Sequence, residues 1–177
     1  CMVDHIPDLI KAGIDSFKVE GRMKTALYVA TVARTYRKAI DDYLEGEEVY
    51  ASHLAWYGQE ISKCTYREFC TGFFYGKPDH SSQIYDNNTY IRNYIYLGYG
   101  ERMDEKGLPV ITQRNKFCVG DEIEIMKPDG RNIPVLVQAI YDENGNAMDS
   151  APHPKQELHL VLSEKMEIFD ILRKRQE

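Results

Sequence analysis

The spacing of the apolar residues changes once along this 177-residue chain, and that change limits the fold more than any other feature. Over residues 24–44, Ala26, Leu27, Val29, Ala30, Ala33, Tyr36, Ala39, Ile40, Tyr43 and Leu44 recur every three or four residues, the stripe of an amphipathic helix. From about Tyr90 onward the pattern becomes one of short β-rich runs, and six strands are predicted: 94–103, 108–115, 122–126, 133–141, 158–162 and 168–172. Turn-forming residues separate them, among them Gly107, Gly120, Asp129-Gly130 and Asn144-Gly145. The two periods cannot share one element, so a helical first part and an antiparallel second part are expected. Six short strands at this spacing suggest a small closed or half-closed antiparallel barrel, with a sandwich as the alternative.

Ahead of the long helix, residues 15–20 alternate. Phe17 and Val19 share one face and Ser16, Lys18 and Glu20 the other, so a strand is predicted there. A short helix over 4–12, with Asp4 as cap, Pro7 in its first turn and Gly13 as its stop, should precede it. A further helix is expected over 52–63, capped by Ser52. This is the layout of a βα unit, and in α/β folds ligands gather at the carboxyl ends of the strands. Lys18 and Glu20 would meet there, with Arg22 just beyond, able to grip a carboxylate or phosphate in a fork. Glu20 could act as a general base if burial raised its pKa. The alternative is a half-exposed strand with a surface ion pair worth about 0–1 kcal/mol.

Composition narrows the function classes. Apolar residues make up 43% and charged residues 28%, enough for a sizeable core. The net charge of −6 gives no bulk support for a nucleic-acid module, although local patches are not excluded by a sum. The chain starts at Cys1 without a charged and apolar leader, and no apolar run is long enough for a bilayer. The expectation is a piece of a longer cytoplasmic protein with no membrane partner. Cys1, Cys64, Cys70 and Cys118 form no CxxC pair, which argues against a disulfide framework. Cys1 and His5 could form a nucleophile pair on paper. The tyrosines between Tyr75 and Tyr99 suit sheet packing, or alternatively base stacking or an interface. Arg114 and Lys116, beside Asn115, are either a solvated turn or contacts to an RNA backbone. Residues 66–89 are rich in Gly and aromatics and read as a connector between a first part, 1–65, and a β part, 90–177.

Several runs together resemble peptidase family U32, the collagenase-like proteases. They are Cys1-Met2-Val3-Asp4-His5-Ile6-Pro7, Lys18-Val19-Glu20-Gly21-Arg22-Met23-Lys24, Tyr28-Val29-Ala30-Thr31-Val32, Thr71-Gly72-Phe73-Phe74-Tyr75-Gly76 and Arg114-Asn115-Lys116-Phe117. The resemblance implies an α+β chain: the last βα units of a TIM-like barrel over 1–65, then a β-barrel accessory domain. It is nearest the branch of tRNA hydroxylation proteins, which help make 5-hydroxyuridine at the wobble position using prephenate. It implies Lys18, Glu20 and Arg22 as catalytic residues. It also implies Cys1 as one thiolate of a [4Fe–4S] cluster whose other ligands lie upstream. The β-barrel would position tRNA through Arg114 and Lys116. The alternatives are a collagenase-like protease acting on peptides and a non-catalytic interaction barrel. A homodimer formed through strand edges of an incomplete barrel is a further expectation.

Overall fold

The computed structural model describes residues 1–80 and 90–176. It divides into two compact units, Cys1–Asn93 and Tyr94–Glu177. The first unit therefore takes in the described residues of the expected connector; residues 81–89 of that segment lie outside the described residues.

The first unit is helical. A single 3-10 turn, Val3–His5, leads into α1, Ile6–Lys11, with Pro7 in its first turn, where a missing N–H costs nothing. Asp4 does not cap it; it lies inside the 3-10 turn, and neither start carries a side-chain cap. Gly13, at φ 75°, closes the helix in the left-handed region that glycine tolerates best. Helix α2, Ala26–Glu45, is capped by Thr25, whose Oγ1 accepts the Tyr28 N–H at 3.2 Å. Helix α3, Glu47–Ile61, begins five residues before the expected Ser52, directly after Gly46. Glu47 and Glu48 stand in its first turn, where the helix dipole favours negative charge. Ser52 instead donates to the Val49 carbonyl at 2.7 Å.

The helices pack through Val3, Ile6, Leu9, Val32, Ala39, Tyr50, Tyr57 and Ile61, all buried. Tyr50 donates its hydroxyl to the Val3 carbonyl at 2.8 Å, joining α3 to the 3-10 turn. Polar ties run between α2 and α3. Arg34 and Glu60 form a buried ion pair, and Lys63 reaches the same carboxylate at 3.3 Å. Asp42 accepts the Tyr57 hydroxyl at 2.6 Å and lies 3.1 Å from Lys38 Nζ and 3.0 Å from His53 Nδ1.

The strand expected over 15–20 is absent. The segment carries no ladder, because no strand lies among the described residues of this unit to pair with it. Alternation alone specifies which side chains share a face; a strand also needs a neighbour.

The second unit is an antiparallel sheet. Its strands are β1 (Tyr94–Tyr99), β2 (Arg102–Met103), β3 (Pro109–Thr112), β4 (Glu122–Met126), β5 (Asn132–Tyr141), β6 (Ala147–Met148), β7 (Glu157–Leu162) and β8 (Ile171–Arg175). The order is β1-β8-β4-β5-β7-β3-β2, with β6 paired to β5. The run expected at 94–103 is divided at Gly100 into β1 and β2, which occupy the two ends of that order. The sheet thus curls until its ends meet, and the Arg114 N–H donates to the Leu97 carbonyl at 2.9 Å across the gap. Gly98 permits the approach, since a Cβ there would lie 3.0 Å from the Thr112 carbonyl oxygen. Leu97, Ile111, Ile125, Val137, Ile140, Leu158, Leu160 and Leu172 fill the interior.

Candidate functional site

Inside the first unit, residues 14–20 pass in front of α2 and leave a cleft of about 490 Å³. Tyr28, Val32 and Tyr36 line its helical wall; four-residue steps put all three on one face of α2. Cys1, Met2 and Leu9 line it from the start of the chain, and Cys64, Phe69 and Phe74 from the segment after α3. Lys18 and Glu20 complete the lining. Three of the residues expected to do chemistry, Cys1, Lys18 and Glu20, therefore meet in one cleft, across large gaps in sequence.

Lys18 and Glu20 are exposed, and the ion pair expected between them is absent among the described residues. Glu20 is held otherwise: its Oε1 accepts the Arg22 N–H at 2.8 Å. Arg22 stands in the turn that follows, exposed and outside the lining. Its backbone N–H orients Glu20.

The Tyr36 hydroxyl sits at the inner end of the site. It accepts the Met2 N–H at 2.7 Å and lies 3.6 Å from Cys1 Sγ. Burial raises the pKa of Tyr36, more than the Met2 N–H lowers it, so Tyr36 stays protonated beside the sulfur, where either group can donate. Tyr28 is also pushed up, by burial and then by the neighbouring Cys64 and Glu20. His5 lies against Tyr75, with ring centroids 4.9 Å apart, and 3.8 Å from Asp8. The Cys1–His5 nucleophile pair does not form; a tyrosine faces Cys1 instead.

The described residues contain no cluster of three or more Cys, His, Asp or Glu able to hold a metal, and all four cysteines are free thiols. Cys1 is exposed, whereas the Cys64 thiol is buried and donates to the Ile61 carbonyl at 3.3 Å. A [4Fe–4S] cluster takes four thiolates, and these residues do not by themselves fit it.

Beside the cleft lies a second group that sequence reasoning missed. Lys24 Nζ is 5.3 Å from the Tyr28 ring centroid and 4.8 Å from that of Tyr90. The Arg67 guanidinium lies 4.5 Å from the Tyr90 centroid and donates to its hydroxyl at 3.0 Å. The backbones of Tyr66 and Ile91 pair with each other, and Tyr66 stacks on Phe69 at 4.7 Å. No sequence motif joins residues 24, 67 and 90; only the folded turn does. In the second unit, Arg114 and Lys116 are exposed on either side of Asn115, whose side chain donates to the Tyr96 carbonyl at 2.7 Å.

Two family descriptions match the chain, one over most of each unit. Residues 1–84 match "Peptidase family U32" and residues 92–173 match "Peptidase family U32 C-terminal domain". The chain belongs to peptidase family U32. It is 37% identical over 174 residues to tRNA hydroxylation protein P1 of Bacillus subtilis, covering 98% of this chain and 41% of the relative. It is 30% identical over 173 residues to tRNA hydroxylation protein P of Escherichia coli, covering 94% of this chain and 36% of the relative. A collagenase of Porphyromonas gingivalis is 27% identical over 144 residues, covering 79% of this chain and 38% of the relative. The chain thus spans about two fifths of the length of these relatives. No helix among the described residues is long and apolar enough to cross a membrane.

Proposed function

We propose that the full-length protein acts in tRNA hydroxylation at the wobble uridine, in the cytoplasm, with prephenate as a co-substrate. The observation that carries this reading is the cleft that gathers Glu20, Lys18, Cys1 and Tyr36 in a chain related along 98% of its length to a tRNA hydroxylation protein. In it, Glu20 takes or gives a proton, oriented by the Arg22 N–H, and Lys18 and Arg22 hold anionic groups. Cys1 would be one soft ligand of a [4Fe–4S] cluster completed by thiolates outside this chain. A TIM-like barrel completed upstream would give residues 15–20 a strand partner. Arg114 and Lys116 would touch the RNA backbone from the sheet unit.

The collagenase relative favours a second reading, peptide hydrolysis. Against it, the described residues bring no histidine to Cys1 and no metal ligands together. A non-catalytic interaction barrel has no specific observation in its favour, and residues 15–20 form no strand whose edge could pair an incomplete barrel into a homodimer.

The test is complementation. Cells lacking the gene should lose wobble hydroxylation, measured by mass spectrometry of their tRNA, and regain it with the wild-type gene. Glu20→Gln should restore less than about a hundredth of the wild-type level, the lower end of what a positioned acid–base group supplies. Full hydroxylation in the deletion strain, or full restoration by Glu20→Gln, would sink the respective claims.

A further inference from the structure

In the first unit most cations of the helices are neutralised locally. Lys11 pairs with Glu47 at 3.0 Å, Arg37 with Asp41 at 2.5 Å and Lys38 with Asp42 at 3.1 Å, while Arg34 and Lys63 share Glu60. Lys24 and Arg67 differ. Both are exposed, neither has a carboxylate partner among the described residues, and both lie against the same ring, Tyr90. Tyr90 is itself 49% exposed. From Lys24 the contact passes to Tyr28, which lines the cleft, and beside Arg67 the ring of Phe69, stacked on Tyr66, reaches the same cleft. Two cations without acids, interleaved with accessible aromatic faces, in a chain whose net charge is −6, are a local exception to the protein's overall sign.

We propose that Lys24, Arg67 and Tyr90, with Tyr28 and Phe69 at their edge, form a subsite for single-stranded RNA beside the cleft. The cations hold phosphate oxygens, and the aromatic faces carry an unstacked base. This combination binds single strands generally: the charge tracks the backbone and every base offers a flat face. Arg67 uses one N–H on the Tyr90 hydroxyl and retains others of its five donors for a phosphate. An acidic peptide would use the cations but would leave the ring faces idle. The inference rests on the tRNA reading above and adds to it where the strand is gripped: in the helical unit, by residues that reading does not invoke.

The experiment uses the full-length protein and an unmodified anticodon stem-loop RNA with uridine at the wobble position. Arg67→Ala, Lys24→Ala and Tyr90→Ala should each weaken binding roughly tenfold, within the range that alanine substitution gives at stacking platforms. Arg67→Lys and Tyr90→Phe, which keep the charge and the ring, should recover most of it. Because an alanine variant could lose its fold, ultraviolet crosslinking of the wild-type protein to the same RNA provides an independent reading. Crosslinked peptides containing Tyr28, Phe69 or Tyr90 are expected. Crosslinks confined to the sheet unit, or unchanged affinity in all three folded alanine variants, would overturn the subsite while leaving the tRNA reading in place. A wild-type protein that binds no stem-loop, from cells whose tRNA hydroxylation does not need it, would remove the tRNA reading itself.

Discussion

At the scale of single residues, Asp42 is the most informative. Burial works against its charge, yet hydrogen bonds from Tyr57 and Lys38 outweigh that and hold its pKa below the ordinary 3.8. A depressed folded pKa fixes the sign of the pH effect. The stabilisation is complete above the unfolded value and is lost as the pH falls through the lower folded one. Asp42→Asn keeps the shape and removes the charge. It should cost about 1–3 kcal/mol at neutral pH, the range for a hydrogen bond to a charged group or a stranded partner. Its deficit should shrink in strongly acidic solution, where the wild type has lost the same charge. Urea unfolding followed at both pH values checks this; an equal deficit at both would assign the role to packing alone. Tyr57, on the other side of the bond, is pushed far up by burial and then by Asp42, and Tyr50 is pushed to about 12, chiefly by burial, so both remain neutral donors across the physiological range.

At the scale of elements, α2 and α3 are joined by a charge pair out of water. The Arg34 and Glu60 side chains are 4% and 1% exposed. Removing one partner strands the other, so Glu60→Ala should destabilise the helical unit by about 3–5 kcal/mol. Replacing both, as Arg34→Met with Glu60→Leu, should cost far less, because an apolar pair needs no compensation. Unfolding followed by the helical circular dichroism signal separates the two; a double variant as weak as the single would show that the pair stabilises beyond its own desolvation. What the sequence revealed at this scale follows the same physics. Helix α2 was legible because its stripe and its Thr25 cap are local. Most of the sheet was legible because alternation and turn chemistry recur, although Ala147–Met148 was not expected and the last strand, expected over 168–172, runs Ile171–Arg175. Residues 15–20 carry the same alternation without a ladder, and a partner strand is a non-local fact. The start of α3 was missed because Ser52 looks like a cap, whereas Gly46 and the acidic first turn set the boundary.

The site divides along the same line. Lys18, Glu20 and Arg22 could be grouped from two-residue spacing, and Cys1 was singled out by family resemblance; that Cys1, Lys18 and Glu20 line one cleft with Arg22 outside it shows only in the fold. The wall of Tyr28, Val32 and Tyr36 was not, because tyrosines and valine at four-residue steps read equally well as core. The group at residues 24, 67 and 90 was invisible, since the Tyr66–Ile91 pairing that assembles it leaves no mark on the sequence.

At the scale of the whole molecule, an excess of negative charge repels a polyanion until a local patch is reached. RNA binding should therefore weaken steeply with salt, and each neutralised phosphate in a single strand adds about 0.7 to the slope of log affinity against log salt. The double variant Lys24→Ala with Arg67→Ala should flatten that slope by roughly 1.4. Titrations of the full-length protein at several salt concentrations measure it. An unchanged slope would mean that those two cations meet no phosphate.

Helix α2 is 20 residues long, a strut of about 30 Å. Tyr28, Val32 and Tyr36 along it bear the cleft wall, while Asp42 fastens its far end to α3. Such a strut acts as a lever arm. A tilt of one degree about the fastened end displaces the other by roughly half an ångström over that length. The placing of Tyr28, about 21 Å along the strut from Asp42, is thus set partly by a bolt well away from it. Substitutions that never touch the cleft, at Asp42, Tyr57 or Glu60, would be felt there as a loss of aim.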